Sequence, residues 1–156
     1  LDGDRPGIEH VPRLECTERV IKEAMRLYPP VFIMFRRATE DAVVGGYQIP
    51  EGTILALPQF RLHADERFYD DPDAFRPDRW ADDREADRPE YAYFPFGGGP
   101  RHCIGMRFAT LEMKLVLATL SRRFELLSDP NPEVTAAATL QPKENVRVRL
   151  HERRDA

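Results

Sequence analysis

The residues able to do chemistry gather in Phe96-Gly97-Gly98-Gly99-Pro100-Arg101-His102-Cys103-Ile104-Gly105, a glycine-rich, electropositive run that places one thiol just ahead of a long apolar stretch. Three glycines and a proline hold backbone in shapes that a Cβ would obstruct, leaving main-chain N–H groups free to point at a neighbour. A cysteine at a helix N-terminus beside cationic side chains is favoured as the thiolate, which is a nucleophile or a metal ligand. Three roles compete for Cys103. It could be a buried packing cysteine. The glycines could cradle a phosphate, but no Lys-Ser or Lys-Thr follows to reach phosphates and magnesium, so that role is set aside. Or the sulfur could bind iron, with the loop shielding it from water and donating hydrogen bonds that tune its electron donation.

The elements that must position this run lie on both sides of it. Upstream, Cys16, Val20, Ala24 and Leu27 recur at helical spacing and predict a helix over 11–28, ended by Pro29-Pro30. Cys16 reads as a packing residue. Glu23 and Arg26 share one helix face, which by itself reads as an exposed ion pair worth a few tenths of a kcal/mol. Residues 31–37 form an apolar extended run closed by Arg36-Arg37, a core strand with a solvated end on pattern alone. Residues 43–57 alternate β-formers with Gly-Gly and Pro-Glu-Gly turns, a small antiparallel meander without chemistry. His63 reads as a hydrogen-bonded structural residue. From 70 to 95 the chain is rich in Asp, Arg and Pro, an irregular segment pinned by Phe75, Trp80, Tyr91, Tyr93 and Phe94, with 82–88 a solvated charged loop.

Downstream of Cys103 a helix is expected to about Phe124, roughly 30 Å long. Arg107, Thr110, Lys114 and Ser121 fall on one narrow stripe, read as exposed, while apolar residues cover the rest and call for neighbours on nearly all sides. The tail alternates over 136–140 and 146–150, suggesting a hairpin turning at Lys143-Glu144-Asn145.

At 156 residues the chain has the size of one domain. It begins at Leu1 on a polar run, which reads as a cut through a longer protein. A net charge of −4 argues against a nucleic-acid partner, and no apolar run is long enough to span a bilayer. No signal peptide is visible. The two cysteines lie far apart without paired spacing, which fits a reducing, cytoplasmic setting.

Phe96, Gly99, Arg101, Cys103 and Gly105 together match F-x-x-G-x-R-x-C-x-G, and on these residues the chain resembles the cytochrome P-450 family of haem-thiolate monooxygenases. The resemblance implies that Cys103 is the axial thiolate ligand of haem iron and that Arg101 pairs with a propionate. Phe96 would pack on the ligand loop, Gly105 would let the next helix approach closely, and Gly99 and Ala109 are further cofactor-binding positions. It turns Glu23 and Arg26 into an E-x-x-R pair completed by Arg79 from the F-x-P-x-R segment Phe75, Pro77, Arg79, a structural triad on the proximal side. A carboxylate between two guanidiniums can be fully hydrogen-bonded when buried. Arg36 would take the other propionate, Val31, Ile33, Met34 and Phe35 would line an apolar substrate pocket, and Ala137 and Ala138 would reach the substrate from the tail.

The fold implied is mainly α with small antiparallel β-sheets (α+β), residues 1–156 being the carboxy-terminal, haem-ligating portion of the family's domain. The activity implied is insertion of one oxygen atom from dioxygen into an organic, apolar substrate, with electrons from a ferredoxin, flavodoxin or reductase. No side chain of this portion is assigned a catalytic role, because the family's acid-alcohol pair sits on a distal helix that would lie upstream of Leu1. The alternative is a catalytically silent fragment that at most binds haem. A non-haem scaffold with a packing cysteine would make the motif agreement a coincidence.

Overall fold

Proline decides where the first helix begins. Pro12 has no N–H to donate, and residues Ile8–Arg13 form a 3-10 turn instead, so α1 spans Glu15–Leu27 rather than starting at 11. The structure, a computed structural model, describes residues 5–81, 88–128 and 132–153. Glu15 and Glu18 in the first turn of α1 and Arg26 in the last complement its dipole. Tyr28 N–H closes the end on the Ala24 carbonyl at 2.8 Å, and Pro29-Pro30 cannot continue it. The face that α1 buries carries Ile21 and Met25 but also Glu23 and Arg26. Cys16 is exposed, against its reading as packing. The segment that covers this face meets Glu23, two turns further along, and leaves the first turn open.

Strand β1 (Met34–Arg37) pairs antiparallel with β4 (Ile54–Leu57), Met34 opposite Leu57 and Arg37 opposite Ile54. Between them β2 (Ala42–Val44) and β3 (Tyr47–Ile49) form a separate hairpin. Residues 43–57 are therefore not one meander. The ladder of β1 and β4 is prolonged by Ala38 N–H to the Thr53 carbonyl and Gly52 N–H to the Ala38 carbonyl, both 2.9 Å, which makes the hairpin an excursion from it. β1 itself is edge-like and not core, since Phe35 is largely exposed. The short helix α2 (Gln59–Leu62) follows.

The centre of the molecule is aromatic. Leu14, Ile21, Met25, Tyr69, Trp80, Ala92, Phe94 and Ala118 are buried, and Trp80 lies 4.4 Å from Tyr93 and 6.3 Å from Tyr69 between ring centroids. Phe75 and Tyr91 stay half exposed. The charged loop expected over 82–88 falls outside the described residues except for Arg88. That residue is not solvated: its guanidinium lies 4.5 Å from the Trp80 ring centre and 5.0 Å from that of Tyr69.

Helix α3 (Met106–Arg123) buries only Lys114 and Ala118. Lys114 pairs with Glu18 of α1. With Arg107, Thr110 and Leu111 it lines a groove of about 410 Å³ against Ile21 and Met25. Thr110 and Lys114 of the polar stripe thus face α1, Lys114 drawn there by the Glu18 carboxylate, against the expectation that the stripe is exposed; Arg107 is exposed as expected and Ser121 is half-buried. Phe108, 70% exposed, Val116 and Leu120 point outward instead. The helix runs straight into β5 (Phe124–Ser128), which pairs with β8 (Val148–Glu152). β6 (Val134–Ala136) pairs with β7 (Leu140–Pro142). The tail hairpin therefore turns at 137–139, not at 143–145, because the last strand returns to β5. The described residues thus combine helices with small antiparallel two-stranded sheets, an α+β architecture.

Candidate functional site

Glu23 is fully buried and accepts five hydrogen bonds, each of 2.9 Å. Arg26 Nε and Trp80 Nε1 donate to Oε2; Arg26 Nη2, Arg79 Nε and the Arg76 N–H donate to Oε1. Burial alone would raise its carboxyl above the ordinary value. The bonds from Arg26, Arg76, Trp80 and Arg79 outweigh that and hold it below. The guanidiniums use their remaining donors on backbone: Arg26 Nη1 reaches the His63 carbonyl at 2.7 Å and Arg79 Nη1 the Asp70 carbonyl at 2.9 Å. One carboxylate so joins α1, the turn after α2 and the 70–80 segment. The sequence pointed to Glu23, Arg26 and Arg79. It missed Trp80 and the Arg76 amide, for which the single tryptophan directly after Arg79 was the available signal.

From this centre a second set of bonds leads to the thiol. Tyr69 Oη donates to the Ala92 carbonyl at 2.9 Å. Gln59 Nε2 donates to the Phe94 carbonyl, and the Phe94 N–H donates to His63 Nε2, both at 3.1 Å. His63 is thus a buried hydrogen-bonded residue, as expected from its setting. Gly97 N–H then donates to the Phe94 carbonyl at 2.9 Å, and Cys103 N–H to the Phe96 carbonyl at 2.8 Å. These two bonds fold 96–103 into a closed loop that stands at the start of α3. Gly97 and Gly99 have φ of +78° and +65°, the left-handed region where glycine has no steric cost. At Gly98 the reason for glycine is space: a Cβ would lie 2.3 Å from Tyr91 Cε1.

Cys103 is exposed, which removes the packing-cysteine role. Ile104 beside it is fully exposed and Arg101 and His102 are exposed. Phe96 is half-buried, in the groove between α1 and α3. Within 4 Å, a Cβ at Gly105 would meet only Cys103 Sγ among the described residues, at 3.8 Å. Ala109, half-buried one turn on, donates its N–H to the Gly105 carbonyl at 2.9 Å.

Of the remaining predicted residues, Met34 touches the loop. Met34 Sδ lies 3.2 Å from where a Gly97 Cβ would sit, so β1 rests on the ligand loop. Arg36 Nη1 donates to the Phe35 carbonyl at 2.9 Å. Leu140 N–H donates to the Pro30 carbonyl at 2.8 Å, which brings the β6–β7 turn with Ala137 and Ala138 up to the start of the Val31–Phe35 run. Val31, Phe35, Ala137 and Ala138 are exposed; Ile33 and Met34 are half-buried. Among the described residues no helix is long and apolar enough to cross a membrane.

The family model described as Cytochrome P-450 matches residues 1–149. Cytochrome P-450 4V2 of Mus musculus is 36% identical over 95% of this chain and 29% of its own length. Pentalenene oxygenase of Streptomyces avermitilis is 37% identical over 96% of this chain and 34% of its own. The crystal structure of the cytochrome P-450DA haem domain superposes with a TM-score of 0.87 at 35% identity, covering 96% of this chain and 33% of that one. The chain spans about a third of the length of these relatives. With the motif loop, the buried carboxylate centre and the match over 149 residues, the chain belongs to the cytochrome P-450 family.

Proposed function

We propose that residues 1–156 are the carboxy-terminal, haem-ligating portion of a cytochrome P-450 monooxygenase, with Cys103 as the axial thiolate. The observation that carries this is the thiol itself: solvent-facing on a loop whose backbone is tied at Phe94 and Phe96 and held by the Glu23 centre beneath. The donor set fits haem. Among the described residues no group of three or more His, Cys, Asp or Glu side chains comes together to hold a metal ion. Cys103 would give haem iron one sulfur ligand. Exposed Ile104 and Phe108 offer apolar surface next to that sulfur.

Haem, when bound, supplies the activation of dioxygen, helped by electron donation from the thiolate. The chain's own residues do the rest of the binding work in this reading. Arg101 and Arg36 take the propionates; Phe96, Gly99, Gly105 and Ala109 complete the cofactor contacts. Val31, Ile33, Met34 and Phe35, with Ala137 and Ala138, exclude water and select an apolar substrate. One atom of dioxygen would enter a C–H bond of the substrate and the other leave as water, with two electrons from a ferredoxin, flavodoxin or reductase and two protons from solvent. Pentalenene oxygenase and the cyclooctatin synthase of Streptomyces melanosporofaciens, 37% identical, support an oxidative role on an organic molecule. Both cysteines are free, in keeping with a reducing, cytoplasmic compartment. The exposed apolar face of α3 favours a second reading, that by itself the chain is catalytically silent and at most binds haem.

The test is the spectrum of the haem-reconstituted, dithionite-reduced chain under carbon monoxide. Thiolate ligation gives a strongly red-shifted Soret band, absent in Cys103→Ser, a change at an exposed side chain that leaves stability within about 0.5 kcal/mol. A band that survives Cys103→Ser refutes the ligand assignment.

A further inference from the structure

Gln59 and His63 stand one helical turn apart, joined by His63 N–H to the Gln59 carbonyl at 2.8 Å, and both are fully buried. Their side chains take opposite ends of one residue: Gln59 Nε2 donates to the Phe94 carbonyl and His63 Nε2 accepts from the Phe94 N–H. Among the described residues the Phe94 N–H has no backbone acceptor, in a buried segment that is not in a sheet. The same carbonyl also receives Gly97 N–H, the first bond of the loop that ends on Cys103. We infer that Gln59 and His63 form a clamp on the Phe94 backbone that positions the Cys103 loop, and that protonation of His63 releases it. His63 is then a positioning residue for the thiolate, and in that role the inference rests on Cys103 being the haem ligand.

The chemistry follows from which nitrogen holds the proton. Nε2 is the acceptor for Phe94, so the neutral ring carries its proton on Nδ1. A second proton can only go to Nε2, where it sets an N–H against an N–H and leaves the Phe94 amide buried without an acceptor. Groups facing the ring do not relieve this. From α1 come Arg26, whose Nη1 donates to the His63 carbonyl, and Glu23, already taken up by its own five donors. From the 91–96 segment comes Tyr93, its ring 5.2 Å away and its hydroxyl on the Lys22 carbonyl. On the histidine's own segment Asp65 is paired with Arg67, and Arg61 is exposed. Burial, the chief cause, holds the imidazole down to about 4 from 6.5; the Arg26 backbone opposes this, and the charge of its guanidinium adds to it. The clamp is therefore closed at neutral pH and opens in acid.

The experiment follows the 156-residue chain by NMR from about pH 7.5 to about pH 3, reading the His63 ring nitrogens and the exchange protection of the Phe94 and Cys103 amides. The expected result is an Nδ1–H tautomer at neutral pH and joint loss of both protections as His63 titrates. His63→Gln keeps a non-titrating acceptor and should hold both amides through the same range. His63→Leu removes the acceptor and should speed their exchange about 5- to 150-fold at every pH. If His63→Gln loses protection over the same window as the parent, or His63 titrates at its ordinary value, the clamp is overturned. The carbon monoxide spectrum taken in parallel separates the two claims. Protection that follows His63 without any red-shifted band supports the clamp and sinks the ligand reading; a red-shifted band whose acid loss is unchanged in His63→Gln sinks the clamp alone.

Discussion

Replacing Glu23 by Gln keeps the shape of the side chain and removes its charge. The structure says what that leaves behind. Three donors converge on Oε1 and two on Oε2. With the amide oxygen turned to the Oε1 side, its NH2 group meets Arg26 Nε and Trp80 Nε1, donor against donor, and two buried guanidiniums lose their counter-charge. Removing one partner of a buried pair costs about 3–5 kcal/mol, a large share of the roughly 5–15 kcal/mol that holds a domain of this size. With a urea slope of about 2 kcal/mol per molar, the midpoint should fall by about 2 M. Trp80, the sole tryptophan and only 2% exposed, touches Glu23 directly, so its fluorescence reports the unfolding, with circular dichroism as the check on local effects. The sign with pH is fixed too. Because the folded carboxyl titrates below its ordinary 4.5, its stabilisation is present above that value and is lost as pH falls through the folded one. The gap between parent and Glu23→Gln should close in acid. A loss under about 1 kcal/mol at neutral pH would refute the view that this carboxylate carries the core.

Gly97→Ala combines a left-handed φ with a 3.2 Å approach to Met34 Sδ, while Gly99→Ala meets nothing within 4 Å. Denaturant midpoints should therefore show about 1–2 kcal/mol lost at Gly99 and more at Gly97. Lys114→Ala leaves Glu18 only its pairing with Lys22 and removes the hydrogen bond that chiefly holds its carboxyl below the ordinary value against the opposing effect of burial. It should lower the thermal midpoint, and Lys114→Met, which keeps the apolar stem against Ile21 and Met25, should recover part of the loss.

What the sequence revealed and what it hid divide along a physical line. The Glu23, Arg26 and Arg79 centre was legible because each member belongs to a short motif whose chemistry admits few alternatives. The orientation of α3 was not, because its composition is apolar on most sides and only the charge of Glu18, ninety-six positions away, decides which side faces inward. Strand pairing failed for the same reason: Ile54–Leu57 looks like the natural continuation of Tyr47–Ile49, yet it pairs with Met34–Arg37. Gln59 gave no signal at all, since its role is to satisfy a backbone amide that no pattern marks as needing help.

The β2–β3 hairpin has a use that its lack of chemistry suggests. Gly45 and Gly46, with φ of +57° and +85°, make the tight reversal, and a Cβ at either would touch nothing within 4 Å. The hairpin pairs only with itself, and its residues are exposed apart from half-buried Ile49. Extra sequence spliced between these glycines would lengthen a surface excursion without pulling on the β1–β4 ladder or the thiol loop. That makes it the natural attachment point for a fused electron-donor domain, a fluorescent reporter or a tether to an electrode.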